Sequence, residues 1–387
     1  MPPARMTSLE MLERLVGFDT ESHKSNLPLI DFAESWLAGH GVRTIRLPNA
    51  AGDKAALVAQ IGPDVEGGVV LSGHTDVVPV AGQAWSSDPY RLRVENGRAY
   101  GRGATDMKGF DALVLALVPD FLAADLKRPI TIVLSYDEET TCLGVVDAIA
   151  ALGRDVPRPA AIIVGEPTGL EVADSHKGVA MCETRVTGTE AHSSRITDGA
   201  SAVMGAGSFV DRLNRLGDRL IADGDATGRF DPPFSTVHVA TIAGGSARNI
   251  LARECLIGWE IRYIPGVDIG ALQAQVEEIA REVTAERLTR YGPFGTIENV
   301  WSVDVPGLAP DEGSEAERLA LRLAKRNRPM TVAYGSEAGR FQAVGLPTVL
   351  CGPGDIARAH KADEYITLDE LAAGEAFLRR LADELSR

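Results

Sequence analysis

The chain has 387 residues, 45% of them hydrophobic and 24% charged, which is enough for a large core and long enough for two domains. With 39 basic against 54 acidic residues the net charge is −15, so the basic footprint needed for nucleic acid or an anionic membrane surface is missing. No apolar run approaches a membrane span, and the Met1–Met6 start lacks a signal-peptide core. The four scattered cysteines (Cys142, Cys182, Cys255, Cys351) form no CxxC pair, so a reduced, cytoplasmic protein is expected.

Thr7 and Glu10 make a capping box for a first helix whose apolar face carries Leu9, Leu12 and Val16. A second helix is expected from about Leu27 to Gly41, then strands over Val42–Leu47 and Ala55–Ile61. Four later apolar runs share one design. Val69–Ser72 leads into Gly73-His74-Thr75-Asp76, and Ile130–Tyr136 into Asp137-Glu138-Glu139. Ala160–Val164 leads into Gly165-Glu166-Pro167, and Pro347–Leu350 into Cys351-Gly352-Pro353 and then His360. Runs of this length read as buried strands of an α/β sheet, and an apolar helix beginning near Asp106 separates the first two. Ligands bind beyond the carboxyl ends of such strands, which is where these acids and histidines fall.

After Lys177, itself a candidate hinge, the pattern changes to alternation over Val179–Val186. A helix from about Ala200 to Leu216, strands Thr236–Ile242 and Cys255–Tyr263, and a helix from about Ile269 to Thr289 follow. The expected architecture is therefore an α/β catalytic domain with a mostly parallel sheet, formed by 1–177 and 290–387. An α+β domain, 178–289, is inserted into it. The chain closes on a helix capped by Thr367 and Glu370.

Taken singly, the polar residues have ordinary explanations. His74-x-Asp76 reads as an exposed loop, Glu138-Glu139 as a helix start, Asp106 as an N-cap and His360 as a surface histidine. Arg102 and Lys108 read as ion-pair partners of the acids, His176 and His238 as structural, and Cys142 has no nucleophile context. Together at buried strand ends, however, His74, Asp76, Asp106, Glu138, Glu139, Glu166 and His360 concentrate charge that needs a cation. Two histidines with several carboxylates suit Zn²⁺, with Co²⁺ or Mn²⁺ as alternatives, and a bridging carboxylate would allow a pair of metals.

The runs Gly73–Pro79, Tyr100–Gly109, Asp137–Glu139 and Gly165–Thr168 closely resemble the ArgE/DapE branch of the M20 metallopeptidase family, and the resemblance spans nearly the whole chain. Within the branch, Tyr334–Ala338 and the stretches Gly352–Asp355 and Ala359–Tyr365 are most similar to members that deacetylate N²-acetyl-L-ornithine in arginine biosynthesis. Desuccinylation of N-succinyl-diaminopimelate, or hydrolysis of another N-acyl amino acid or dipeptide, is the alternative. The resemblance implies two divalent cations bridged by Asp106, one also held by His74 and Glu166, the other by Glu139 and His360. It makes Glu138 the general base and has Asp76 orient His74. It implies a homodimer through the insert, with His192 reaching the partner's active site and helping hold the oxyanion. Asn249 and Arg262 match positions that bind the substrate carboxylate. Ser336 and Glu337 are expected beside the substrate, Glu337 against the ornithine ammonium.

Overall fold

The computed structural model describes residues 4–387, so the first three residues of the Met1–Met6 stretch lie outside it. Helix α1 (Ser8–Val16) starts on the expected box: the Glu10 amide donates to Thr7 Oγ1 at 3.2 Å and the Thr7 amide to Glu10 Oε2 at 2.8 Å. Helix α2 (Leu27–Gly39) stops just before Gly41, whose φ of +79° suits a residue without a side chain. There follow β1 (Thr44–Pro48), β2 (Ala55–Ile61), β3 (Val69–His74), β4 (Arg93–Glu95), β5 (Arg98–Tyr100), α3 (Lys108–Ala116) and α4 (Val118–Ala123). Then come β6 (Ile130–Ser135), α5 (Val146–Ala151), β7 (Ala161–Pro167) and β8 (Ala173–His176). Strand β9 (Gly178–Thr187), helix α6 (Ala202–Asp223), strands β10 (Thr236–Gly244) and β11 (Glu254–Tyr263), helix α7 (Ile269–Val283) and strand β12 (Ile297–Val305) come next. The chain ends with α8 (Glu315–Ala324), β13 (Met330–Val332), α9 (Ala338–Ala343), β14 (Thr348–Gly352), β15 (Tyr365–Thr367) and α10 (Leu368–Leu385). No helix among the described residues is long and apolar enough to cross a membrane.

The chain divides into two compact units. The first comprises the chain up to Ser175 with Leu308–Thr331 and Ser336–Arg387; the second comprises His176–Gly307 and Val332–Gly335. An eight-stranded sheet runs β1-β2-β6-β3-β7-β14-β8-β13. At its centre β6, β3, β7 and β14 are parallel, while β1 and β2 on one side and β8 on the other are antiparallel to their neighbours. The four runs singled out in the sequence are these four parallel strands. Their carboxyl ends all emerge at one edge of the sheet, as parallel strands must.

Helix α3 is buried from Lys108 to Ala116 and packs against α1, β3, β7 and α10, which explains why it is apolar nearly all round. Its Phe110 lies so close to β7 that a Cβ on Gly165 would stand 2.1 Å from the ring. This contact fixes the strand that carries Glu166.

In the second unit, a four-stranded antiparallel sheet runs β10-β11-β9-β12, and α6 and α7 cover one face. Along β9, Ala180, Cys182, Thr184 and Val186 are buried while Met181, Glu183 and Arg185 are exposed, a clean two-residue alternation. The expected insert ends at 289, but β12 pairs with β9 from Ile297↔Val186 to Val305↔Val179, so the unit extends to Gly307. Helix α6 also runs on to Asp223, past the expected Leu216.

Gly165→Ala is expected to destabilise the protein by about 1–3 kcal/mol through overpacking against Phe110. Gly207→Ala, on an exposed stretch of α6 with nothing within 4 Å, should instead gain about 0.5–1 kcal/mol. Urea denaturation of both variants measures the two effects; equal stabilities would show that the β7–α3 approach can relax freely.

Candidate metal centre

All seven residues expected at the strand ends lie in the first unit, and the structure brings them together there. His74 is the last residue of β3 and Asp76 follows it; Glu138 and Glu139 come just after β6; Glu166 lies in β7; His360 follows β14. Asp106 comes from the turn before α3.

Asp106 is the centre of the cluster. Its Oδ1 stands 3.1 Å from His74 Nε2, and its Oδ2 stands 3.1 Å from His360 Nε2. Each carboxylate oxygen therefore faces a different imidazole. Glu139 Oε2 is 3.0 Å from His360 Nε2, while Glu166 Oε1 and Glu138 Oε2 are each 4.0 Å from His74 Nε2. His74, Asp106 and Glu139 form one group of donors within reach of a single ion, and His74, Glu138 and Glu166 form another. Two donors on one tetrahedral cation stand about 3.3 Å apart when the bonds are about 2.0–2.1 Å. The 3.1 Å contacts are close to that spacing.

The charge balance points the same way. Burial, reinforced by neighbouring carboxylates, pushes Glu138 and Glu166 well above the usual carboxylate range, and burial with the Asp106 charge lifts Glu139 to about 7. Asp106 moves the other way: burial opposes its charge, but hydrogen bonds from His360 and His74 outweigh that. Glu166 Oε1 is buried and has no hydrogen-bond partner among the described residues, whereas Glu138 Oε1 accepts from the Cys142 thiol at 3.5 Å. A buried carboxylate oxygen with no hydrogen-bond donor, facing an imidazole, suits a cation ligand. The residues present fit a pair of divalent metals.

The Asp76 carboxylate, expected to orient His74, makes its hydrogen bonds elsewhere. The His74 Nδ1–H donates to the Asp76 backbone carbonyl at 2.9 Å, and the Asp76 carboxylate stands 3.7 Å away. That carboxylate accepts instead from the backbone amides of Glu138 (3.1 Å) and Glu139 (3.4 Å) and from Ser22 Oγ (2.7 Å). It thus sets the backbone of both glutamates. Glu364 does the same for Asp106, accepting from the Thr105 and Asp106 amides at 2.9 and 3.1 Å. Arg102, 1% exposed like Glu364, pairs with Glu364 at 2.7 Å, so its partner is not a metal-facing acid. Lys108 does not pair with the acids either: its Nζ donates to the Phe18 carbonyl at 2.7 Å, and burial lowers its pKa to about 8. Ser22 and Glu364 were not singled out in the sequence; Glu364 sits in a matched run, and Ser22 carries no signal of its own.

The expectation that Glu337 faces the substrate ammonium requires correction. Ser336 and Glu337 are both buried, and Glu337 is 1% exposed with Oε1 accepting from Ser72 Oγ and Oε2 from Ser135 Oγ, each at 2.6 Å. A carboxylate so enclosed and so engaged does not line a cleft for an ammonium group. Ser336 Oγ accepts from the Ala338 amide at 3.2 Å, a local turn contact. His192, Asn249 and Arg262 belong to the second unit. His192 is exposed, its Nδ1 2.8 Å from Ser194 Oγ; the Ser193 amide donates to the Asn249 carbonyl at 3.0 Å, which places His192 beside the exposed Asn249. Arg262 Nε donates to Glu260 Oε1 at 2.8 Å.

The model of peptidase family M20/M25/M40 matches residues 70–384. An acetylornithine deacetylase of Myxococcus xanthus is 36% identical over 391 residues, covering 98% of this chain and 97% of that protein. Aminopeptidase PepT from Bacillus cereus superposes with a TM-score of 0.74 at 19% identity, covering 98% of each chain. The YXEP protein of Bacillus subtilis, described as a dinuclear metal-binding peptidase of the M20 family, has a TM-score of 0.65 at 14% identity, covering 97% of this chain and 96% of that one. These two solved structures share its fold. A match through the parallel strands, the acid- and histidine-bearing strand ends and the whole second unit places this chain in the M20 peptidase family.

Proposed function

We propose that the chain is a metal-dependent amidohydrolase that deacetylates N²-acetyl-L-ornithine to L-ornithine and acetate, in the cytoplasm, as a step of arginine biosynthesis. The observation that carries the hydrolase reading is Asp106, with one carboxylate oxygen on His74, the other on His360, and Glu138 alongside. The full-length similarity to an acetylornithine deacetylase supports the choice of substrate.

Asp106, His74 and Glu166 would hold one cation and Asp106, Glu139 and His360 the other, with Zn²⁺ favoured by the donor set and Co²⁺ or Mn²⁺ as alternatives. Such cations supply Lewis acidity, which activates water near neutral pH and polarises the acyl carbonyl. The remaining work falls to the chain. Glu138 takes the proton of the attacking water and passes it to the leaving amine, a task suited to a largely buried carboxylate beside His74 that is left out of the proposed ligand sets. His192, contributed across a homodimer, donates a hydrogen bond to the developing oxyanion. Arg262, with Asn249, receives the substrate carboxylate, which replaces Glu260 on the guanidinium fork.

The substrate assignment is tested by assaying N-acetylornithine, N-acetylmethionine and N-succinyl-diaminopimelate side by side on the metal-loaded protein. Acetylornithine should have the highest kcat/KM; a preference for the succinylated substrate would replace the assignment. Glu138→Gln should retain both metals by elemental analysis and lose about 10²- to 10⁴-fold in kcat. Asp106→Ala should lose both ions, so a doubly loaded Asp106→Ala protein would place the bridge elsewhere. For the dimer, His192→Ala and Glu138→Gln chains should each be nearly inactive, and mixing them with verified subunit exchange should restore turnover. Without recovery, His192 does not act across the dimer.

A further inference from the structure

Glu337 is a fully buried carboxylate that the proposed chemistry does not use. Its two oxygens are occupied by Ser72 Oγ and Ser135 Oγ, both at 2.6 Å and both buried. Those serines sit on neighbouring parallel strands. Ser72 is two residues before His74 on β3, and Ser135 is the last residue of β6, three before Glu138. In the register of the pair Ser72 lies opposite Val133 and His74 opposite Ser135, so the serines and His74 share one face. A second contact comes from the same run of chain: Arg340 Nη2 donates to the Thr141 carbonyl at 2.7 Å, in the loop that follows Glu139. The Glu337–Arg340 stretch therefore grips the end of β3, the end of β6 and the loop carrying both glutamates.

We propose that Glu337 is a positioning residue of the candidate metal centre, whose carboxylate ties Ser72 to Ser135 and so sets the spacing between His74 and the Glu138–Glu139 loop. This rests on the metal-centre reading above. The role needs two hydrogen-bonding atoms that span two serines; it does not need a charge facing substrate. Gln can supply an acceptor for one serine and a donor for the other, and Ala can supply neither.

The test uses full-length protein stripped of metal and reloaded with Co²⁺, whose visible bands report the geometry around the ion. Glu337→Ala should lower kcat by about 10- to 100-fold on acetylornithine and acetylmethionine alike, with KM within about 3-fold and the Co²⁺ bands shifted. Glu337→Gln should restore the wild-type bands and bring kcat to within about 5-fold of wild type. If Glu337→Ala does not fold, Ser135→Ala, which removes one of the two contacts, should show the same band shift with a smaller loss of kcat. Wild-type bands and kcat in Glu337→Ala, or in Ser135→Ala where that variant stands in, overturn the proposal. So does a loss confined to acetylornithine, or a Glu337→Gln protein as impaired as Glu337→Ala. A wild-type protein that takes up fewer than two Co²⁺ overturns the metal-centre reading itself, whereas an indifferent Glu337→Ala in a two-metal protein overturns this inference alone.

Discussion

Asp106 turns its two carboxylate oxygens to two different imidazoles at equal distances of 3.1 Å, and the other residues of the cluster are arranged around that division. Glu139 joins His360, while Glu166 and Glu138 converge on His74. Four carboxylates and two histidines in a largely buried volume cannot all carry their solution charges without added positive charge. The nearby buried cations do not provide it: Arg102 is committed to Glu364, and Lys108 to a backbone carbonyl. The site is therefore organised around charge that must come from outside the chain.

Three further acids place the ligands by holding backbone or serine groups. Glu364 holds the Thr105 and Asp106 amides, Asp76 the Glu138 and Glu139 amides, and Glu337 the serines of β3 and β6. A buried carboxylate is costly on its own, but hydrogen bonds to an ionised group are stronger than those between neutral groups. Loops that carry ligands are thus fixed by strong contacts where the sheet offers no ladder partners. The same strategy adds acidity beneath an already acidic cluster, which deepens its demand for cations.

Much of the fold and the centre was legible in the sequence. Four apolar runs ending in His, Asp or Glu became the four parallel strands, and both capping boxes formed as read. Strand β12 was missed because Glu298, Asn299, Ser302 and Asp304 break up the apolar run of Ile297, Val300, Trp301, Val303 and Val305; its pairing with β9 shows it to be a strand. Glu337 was misplaced because a lone acid in a Gly- and Ser-containing loop reads as surface or pocket; nothing local reveals that two serines from distant strands enclose it. A weaker signal was present. Ser72 and Ser135 are polar residues closing the apolar stretches Val69–Leu71 and Ile132–Leu134, and buried hydroxyls require partners. The partners lie 265 and 202 residues away in the chain, beyond the reach of any periodicity.

Glu138 and Glu139 show how neighbours in sequence come to hold different duties. Asp76 fixes both of their amides, and Asp137 before them has a φ of +57°, so the chain turns sharply as it leaves β6. From that fixed turn the Glu139 side chain reaches His360, while Glu138 extends toward His74 and accepts the Cys142 thiol. In the ligand sets proposed above, which take His74, Asp106, Glu139, Glu166 and His360, Glu138 is the acid left over. A protein that only stored metals would gain nothing from burying one more carboxylate beside those five residues. A hydrolase would, because water and a leaving amine both need a proton carrier at that place. On that proposed assignment, the extra acid, held by its backbone amide on Asp76, joins the geometry of the sheet edge to hydrolysis.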